Sequence, residues 1–383
     1  MGAVRMMRAF GMAGAVLVGA MLAAVAAAQD QAQTPQQNPI TTLKTGTALV
    51  LVPALVTTKD GKPVFTLTAD DFKLTDDGVP QTLRLEEDAD QRPLALVVLV
   101  ESGGDGAKHL GEYRGLQTEI ETVLGDVEHT VAVVDFDSEP EILQPFTTKM
   151  DNVGSALEKL EAGDDGAAQL DALKFSVDML RKQPPRYRRA ILMFSETHDH
   201  GSHTTVSEAV RAVSDTNTAI YSFGFSSVGG DTRRASGALP PQLGGNDDPG
   251  PSGGCFSRKP DADGNPPKKN AAEQDFDCVS LLAPPLALAK MAVVAAISSM
   301  HRDVPETVAK LTGGEYFGFK DEKSLVRGLH ELSNHMPNRY MLSFVPQSPH
   351  AGFHALTLTT NRQGVYLKAR TSYWAETVAD AAK

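Results

Sequence analysis

The chain has 383 residues and carries a formal net charge of −12 at pH 7. At about 150 residues per domain, this length allows two domains with a large core. The acidic balance argues against general nucleic-acid binding, because a phosphate-binding surface needs clustered Lys and Arg and the sequence has no such stripe.

The N-terminus has the features of a secretory signal peptide. Arg5 and Arg8 precede an apolar, alanine-rich run over residues 13–28 that ends in small residues. This run is shorter than the roughly 20 apolar residues that a membrane-spanning helix needs, so a permanent anchor is the weaker interpretation. We predict a signal peptide over residues 1–28 that is cleaved after Ala28, no membrane span after cleavage, and a secreted or periplasmic location.

Two segments precede the main repeat of the chain. Residues 29–42 are rich in Gln and Pro and have almost nothing to bury, which predicts a disordered lead-in. Strand-like sequence covers residues 46–57, and two further strand-like runs are joined across Asp77 and Gly78. These antiparallel signals predict a small N-terminal β-module over residues 43–90.

Apolar runs alternate with helix-like sequence in the middle of the chain. They lie at residues 94–100, 130–136, 190–195 and 219–225. This strand-helix repeat predicts an α/β domain over residues 91–337, with a doubly wound, mostly parallel sheet covered by helices. Ligands bind such sheets at the carboxyl ends of the strands. The loop that follows the first run, with the sequence ESGGD, is therefore the candidate binding loop.

Residues 226–285 interrupt this repeat with sequence rich in Gly, Pro, Asp and Asn, which is typical of a functional or flexible loop insertion. The only two cysteines, Cys255 and Cys278, lie within it. A disulfide between them is the economical interpretation in an oxidising compartment, and it would stabilise the fold by roughly 3 kcal/mol. Two free thiols are the alternative, and the spacing matches no redox or zinc motif.

The C-terminal residues 338–376 alternate apolar and polar side chains, as half-buried antiparallel strands do. Their pattern is closer to the N-terminal β-module than to the α/β domain. We predict that the two ends of the chain pair into one β-sandwich-like module, with the α/β domain inserted between them.

Several segments together carry a resemblance to a known family. They are, in order, LVLVPALVTTKDGKPVFTLTADDFKLTDDGVPQ, LALVVLVESGGD, AILMFSE, ETVAKLTGGEYFGF, NRYMLSFVP and LKARTSYW. The chain resembles the von Willebrand factor A-related proteins of the acidobacterial type, which are exported bacterial proteins. The resemblance implies a Rossmann-like von Willebrand factor A (VWFA) domain between a β-rich N-terminal segment and a β-rich tail. It also implies a metal-ion-dependent adhesion site, formed by a D-x-S-x-S loop, a threonine and a later aspartate.

The chain departs from that ligand pattern at every position. The resemblance places the five ligand positions on Glu101, Gly103, Asp105, Ala167 and Glu196, and Ser102 lies in the same loop. The hydroxyl ligands are missing, while the carboxylates that remain would repel one another without a cation. We interpret the site as degenerate, with no resident cofactor. A calcium or magnesium ion in an altered geometry is the alternative.

A second candidate site is the loop ETHDHGSH, which follows the third apolar run. It places His198, Asp199, His200 and His203 at the ligand-binding end of the sheet. Imidazoles with a carboxylate suit zinc or nickel, whereas the simpler interpretation is a polar exposed loop. The candidate metal ligands from both loops are Glu101, Asp105, Glu196, His198 and His200.

The sequence has no motif that predicts catalysis. It lacks a nucleophile elbow, a Walker A loop and a dinucleotide-binding loop, and His330 and His335 are five residues apart, unlike the zincin pair. We predict an exported, non-enzymatic, adhesion-type protein that binds a protein partner. Two alternatives stay open: a metal-dependent hydrolase that uses the loop from His198 to His203, and a protein-binding domain with a working calcium or magnesium site.

Overall fold

A computed structural model describes residues 49–86, 92–215, 217–225, 284–347 and 350–375. Its strands are β1 (Val50–Thr58), β2 (Phe72–Asp76), β3 (Val79–Gln81), β4 (Arg84–Leu85), β5 (Leu94–Glu101), β6 (His129–Phe136), β7 (Pro140–Thr147), β8 (Arg188–Glu196), β9 (Thr218–Phe225), β10 (Tyr316–Gly318), β11 (Tyr340–Phe344), β12 (Gly352–Thr360), β13 (Val365–Ala369) and β14 (Ser372–Ala375). Its α-helices are α1 (Leu110–Arg114), α2 (Gln117–Leu124), α3 (Met150–Glu158), α4 (Gln169–Arg181), α5 (Val206–Ser214), α6 (Pro284–Met300), α7 (Val304–Thr312) and α8 (Glu322–His335).

The central sheet has six strands in the order β10-β9-β8-β5-β6-β7. All neighbours are parallel except β7, which pairs antiparallel with β6 at one edge. Strand β5 lies inside the sheet, and every one of its residues is buried. An unbroken apolar run is the sequence that a strand covered on both faces requires.

Helices cover both faces of this sheet, and each face has its own hydrophobic core. Leu96 and Val98 of β5 point to the face covered by α1, α2, α3 and α8. Val97 and Leu99 point to the opposite face, covered by α4, α5, α6 and α7. The predicted doubly wound, mostly parallel α/β fold is therefore confirmed. The helical segment that follows β5 consists of two helices, α1 and α2, with Gly115 at the break.

The two ends of the chain form two further four-stranded sheets, with the orders β13-β1-β11-β4 and β14-β12-β2-β3. Strand β1 pairs antiparallel with β11 and β13, and β2 pairs antiparallel with β12. Alternate residues of these strands, such as Val52, Leu74 and Phe344, share one core. N-terminal and C-terminal strands thus join into one β-module, as the fold prediction states.

Arg370, between β13 and β14, fixes the β-module to the α/β domain. Its guanidinium is buried and donates hydrogen bonds to the carbonyl oxygens of Ser214 (2.6 Å) and Ser372 (2.5 Å) and to the side-chain oxygen of Asn217 (2.9 Å). Burial lowers its pKa to about 10, so the group stays charged at neutral pH. A turn of the β-module is thereby held to the end of α5.

Glu315, which precedes β10, is a second buried charge at the joint, which is the place where the β-module contacts the α/β domain. Its carboxylate accepts hydrogen bonds from Arg339 (2.8 Å), Lys368 (2.8 Å) and the Nδ1 of His335 (3.1 Å). Burial alone would raise the pKa of Glu315, but these three partners lower it to about 2. The cluster links α8 and β13 around one carboxylate.

Several sequence predictions lie outside the described residues, namely the signal peptide, the lead-in and the cysteines Cys255 and Cys278. Helix α6 begins at Pro284, inside the range predicted for the insertion. None of the helices in the described ranges has the length and apolar character needed to cross a membrane.

Candidate binding site at the carboxyl ends of the strands

Strands β5 and β8 are parallel neighbours, so their carboxyl ends bring Glu101 and Glu196 to the same edge of the sheet. Three loops meet there: residues 102–105 after β5, residues 161–168 before α4, and residues 197–205 after β8. The sequence predicted this edge as the binding site, and the candidate residues of both loops lie on it.

Glu101 is fully buried, and both of its carboxylate oxygens have partners within the protein. Oε1 accepts a hydrogen bond from the backbone N–H of Gly106 (3.1 Å), and Oε2 accepts one from the N–H of Glu196 (2.8 Å). Burial raises the pKa of Glu101 well above its ordinary value, and the neighbouring charge of Glu196 raises it further. The side chain therefore joins two loops through their backbone amides.

Gly103 takes the place of the first serine of the adhesion-site pattern, and its surroundings leave no room for a side chain. A β-carbon built on Gly103 would lie 2.1 Å from the carbonyl oxygen of Gly166 and 2.7 Å from the β-carbon of Asp137. Backbone contacts this close cannot be relieved by a side-chain rotation. The loop is thus packed for glycine, and a serine hydroxyl cannot be placed here without moving the backbone.

The loop that holds Ala167 is bound to both of its neighbours. Ala167 is buried, and its backbone exchanges two hydrogen bonds with His200 (3.0 and 2.8 Å). The carboxylate of Asp137 accepts a hydrogen bond from the N–H of Asp164 (3.1 Å), and the carbonyl of Asp137 accepts one from Ala168 (2.7 Å). Ser102, the remaining residue of the predicted site, is buried and donates toward the carbonyl of Phe136 (3.2 Å).

The histidine loop is partly buried and has specific side-chain contacts within the fold. His198 is buried, with its Nδ1 2.7 Å from the hydroxyl of Thr197. His200 is partly exposed, and its Nε2 lies 3.2 Å from a carboxylate oxygen of Glu196. His203 lies at the surface. The three histidines therefore point into different surroundings and do not converge on one point.

Asp199 and the side chain of Gln169 tie this loop to the start of α4. Gln169 is buried and donates to the carbonyl oxygens of Glu196 and His198 (both 2.8 Å). Asp199 accepts hydrogen bonds from the N–H of Leu170 (3.1 Å) and the hydroxyl of Ser202 (2.5 Å). The sequence analysis did not identify Gln169. A single glutamine at the start of a helix gives no sign that its side chain forms two hydrogen bonds with a distant loop.

The predicted metal ligands do not form one coordination group. Asp105 pairs with Lys108 at 2.5 Å, and the oxygens of Glu101 face backbone amides. Across the described ranges, three potential ligand atoms come within 4.8 Å of one another only at a group in the β-module. The residues present at the adhesion-site positions therefore do not fit the calcium or magnesium ion that the family resemblance implies.

That other group consists of Asp77, His350 and His354, which sequence reasoning did not single out. His354 Nδ1 lies 2.9 Å from Asp76, and His350 Nε2 lies 2.9 Å from Asp77. Burial lowers the pKa of His354, but its hydrogen bonds to Asp76 and Asp77 outweigh this and raise it to about 9. The two imidazole rings are stacked 3.9 Å apart. A charged imidazolium between carboxylates accounts for this geometry without a metal ion.

Comparison with known proteins agrees with this architecture. Residues 112–199 match the family model of the von Willebrand factor type A domain. The matched residues lie in the α/β domain, whose six-stranded, mostly parallel sheet has the Rossmann-like architecture. A search of curated proteins found no match.

Solved structures that are similar to this chain include two from Bacteroides species and one from Porphyromonas gingivalis. An aerotolerance-related membrane protein from Bacteroides fragilis is 14% identical, with a TM-score of 0.36, and the match covers 63% of this chain and 98% of that chain. BatB from Bacteroides thetaiotaomicron is 15% identical, with a TM-score of 0.35 and the same coverage. The vWF domain of the type V pili tip protein Mfa5 from Porphyromonas gingivalis is 17% identical, with a TM-score of 0.26, and covers 28% of this chain and 39% of that chain.

Proposed function

We propose that this chain is an exported bacterial protein of the acidobacterial von Willebrand factor A-related type, which binds a protein partner without catalysis and without a metal ion. The partner would contact the loops at the carboxyl ends of β5 and β8. The observation that carries this proposal is the state of Glu101, whose two oxygens are both held by backbone amides.

Three features of this edge of the sheet argue against a cation bound at the adhesion-site positions. The oxygens of Glu101 already have donors, Gly103 has no space for a ligating hydroxyl, and Ala167 has no hydroxyl to offer. A hard divalent cation needs about six oxygen ligands, and these positions supply too few. The adhesion-site positions thus lack both the ligand atoms and the space that a bound cation requires.

The loops keep the properties of a binding surface. Hydrogen bonds among them fix the loop conformations before a partner arrives, which reduces the entropy lost on binding. Exposed carboxylates lie on the same edge, at Glu139, Glu161, Asp164 and Asp165. Von Willebrand factor A domains are commonly protein-interaction modules. We infer a partner with a basic contact surface, because complementary charges favour association.

A pull-down from the exported protein fraction tests this proposal. The bait is the full chain after removal of residues 1–28, used with and without EDTA. We expect the same partner to be retained in EDTA. Retention should fall in the charge-reversal variant Glu161→Lys with Asp165→Lys, whose side chains are exposed.

The matched control is Glu121→Lys with Asp126→Lys, which makes the same change in net charge on exposed residues at the opposite end of the sheet. This variant should retain the partner. Capture that disappears in EDTA would instead support the working calcium or magnesium site, and equal loss in both charge variants would indicate non-specific attraction.

A further inference from the structure

A cavity of about 260 Å³ lies at the end of the sheet opposite to the candidate binding site. Its wall combines the starts of parallel strands, at Leu94, Ala190 and Thr218, with Leu51 and Met341 of the β-module. Pockets for drug-sized ligands measure about 300 to 1,000 Å³, so this cavity fits a smaller molecule. It is separate from the loops discussed above, so an inference about it does not depend on the proposed function.

The cavity is lined by five arginines, and no Asp or Glu is among the described residues that line it. The arginines are Arg92, Arg188, Arg189, Arg339 and Arg370. They come from four separate parts of the chain and meet only in the folded structure. Such a concentration of positive charge beside apolar walls favours an anion.

Three of these guanidiniums have no carboxylate partner in the described part of the chain. Arg92, Arg189 and Arg370 donate their hydrogen bonds to carbonyl and amide oxygens. Of these three side chains Arg370 is buried, Arg189 is partly buried and Arg92 is exposed. Buried charges in proteins are usually paired, because burial of an unpaired charge is unfavourable, so the argument applies most strongly to Arg370. An anion in the cavity would supply the missing negative charge.

Three residues of the lining also carry a polar side-chain atom whose hydrogen-bonding capacity is unused. Within the described residues, the Nε of Arg189, the Nε of Arg339 and the hydroxyl of Thr218 are buried without a hydrogen-bond partner. Most buried polar groups in folded proteins are hydrogen-bonded, so three exceptions around one cavity are unusual. Each of these atoms is a hydrogen-bond donor that is covered by neighbouring atoms, so it would have to turn toward the cavity to donate to an oxyanion.

We propose that this cavity binds a small organic anion, with its carboxylate or phosphate group on the arginines and its apolar part against Leu51, Leu94 and Met341. The planar guanidinium matches both oxyanions, because its parallel N–H groups can bind two oxygens at once. The ligand would lie between the β-module and the α/β domain and would stabilise their contact.

Calorimetric titration of the full chain, in a buffer low in chloride, tests this assignment. The probes are benzoate and phenyl phosphate, with benzyl alcohol as the neutral molecule of similar size. We expect at least one anion to bind at millimolar concentration or tighter and to raise the melting temperature, because it binds the folded state. The stronger of the two anions identifies the oxyanion class. Binding of benzyl alcohol as tight as that of the anions, or no binding of either anion, would overturn the proposal.

Two variants locate the bound anion, and a third serves as the control. Arg189→Gln should weaken binding by about 10-fold, since it removes a charged donor. Arg92→Gln should weaken binding several-fold. Because Arg92 is exposed, this variant is expected to fold and provides the test if Arg189→Gln does not fold. Arg186→Gln removes the same charge from a residue that faces Glu128 at 3.9 Å and is not part of the lining.

Binding in Arg186→Gln should equal that of the wild type. Unchanged affinity in both Arg92→Gln and Arg189→Gln would show that the cavity is not the binding site. A loss of affinity in Arg186→Gln as large as that in the two lining variants would show the same.

Discussion

Two glutamates are buried at opposite ends of the central sheet, and their surroundings differ in charge. Glu315, at the amino end, accepts hydrogen bonds from Arg339, Lys368 and His335. Glu101, at the carboxyl end, accepts only backbone N–H groups and lies near the charge of Glu196. Accordingly, the pKa of Glu315 is lowered to about 2, whereas that of Glu101 is raised well above its ordinary value.

The difference separates the joint between the β-module and the α/β domain from the candidate binding edge, where the partners of the buried carboxylate are backbone amides. At the joint, cations balance the buried carboxylate, so the charge holds the β-module in place. At the carboxyl end, a cation would serve the same purpose in an intact adhesion site. Here, two backbone N–H groups bind the oxygens of Glu101, and burial together with the charge of Glu196 raises its pKa.

The two glutamates should differ most in how much the free energy of unfolding falls when each is replaced by glutamine. Glu315→Gln leaves the buried Arg339 and His335 without their counter-charge and should lower the free energy of unfolding by about 3 to 5 kcal/mol. Glu101→Gln keeps the shape but replaces one accepting oxygen by an NH2 group that faces a backbone N–H, which should cost about 1 to 3 kcal/mol. Urea unfolding of both variants measures this contrast. Equal losses would show that the two carboxylates play the same structural part.

The pH dependence of stability should differ in sign between the two sites. The folded pKa of Glu315 is about 2, against 4.5 for an ordinary glutamate, so its contribution is present above pH 4.5 and is lost as the pH falls toward 2. The expected size is on the order of 3 kcal/mol, since one pKa unit corresponds to about 1.4 kcal/mol. For Glu101 the folded pKa is raised, so folding becomes less favourable as the pH rises above 4.5.

Unfolding measured against pH in the wild type, Glu315→Gln and Glu101→Gln separates these contributions. The difference between wild type and Glu315→Gln should shrink toward low pH. The difference between wild type and Glu101→Gln should change in the opposite direction, and parallel curves for the two variants would contradict the comparison.

A smaller effect is expected when the family's serine is restored at position 103. Gly103→Ser forces a β-carbon against the carbonyl of Gly166, which should cost about 1 to 3 kcal/mol. Gly111→Ser is the control, because Gly111 has open space around its β-position. Thermal unfolding with and without magnesium tests both variants. A Gly103→Ser protein that is as stable as the wild type and is further stabilised by magnesium would restore the metal-binding interpretation.

The smallest effect is expected from metal ions on the wild type. Calcium or magnesium should leave the melting temperature unchanged, because a ligand stabilises only when it binds the folded state preferentially. Elemental analysis should find no stoichiometric zinc. A rise in melting temperature that Glu101→Gln abolishes would support a working adhesion site, whereas zinc that is lost on changing His198 and His200 would support the hydrolase alternative.

Local patterns in the sequence were sufficient for much of the fold. The apolar run at residues 94–100 predicted a strand buried on both faces, and alternation near the C-terminus predicted strands that pair with the N-terminal module. These inferences succeed because hydrophobic periodicity reports directly on which face of a strand is buried. The absence of hydroxyls at Gly103 and Ala167 was also readable from the sequence once the family pattern was recognised.

The contacts of the candidate site could be predicted only in part. The sequence placed Glu101 and Glu196 on one edge of the sheet, but it treated their charges as mutually repelling and did not foresee the amide hydrogen bonds. It grouped the histidines by their spacing, whereas the fold buries His198 and exposes His203. Side-chain direction in a loop depends on the neighbouring loops, which no local pattern describes.

The sequence by itself therefore determined the order of strands and helices, the pairing of the chain ends and the chemistry available at each adhesion-site position. Only the tertiary structure decided that Gly103 packs against Gly166, that Glu315 binds the side chains of Arg339, Lys368 and His335, and that arginines from four parts of the chain surround one cavity. The physical reason is distance along the chain: periodicity encodes the burial of each element, whereas contacts between residues far apart in sequence are fixed by how the elements pack.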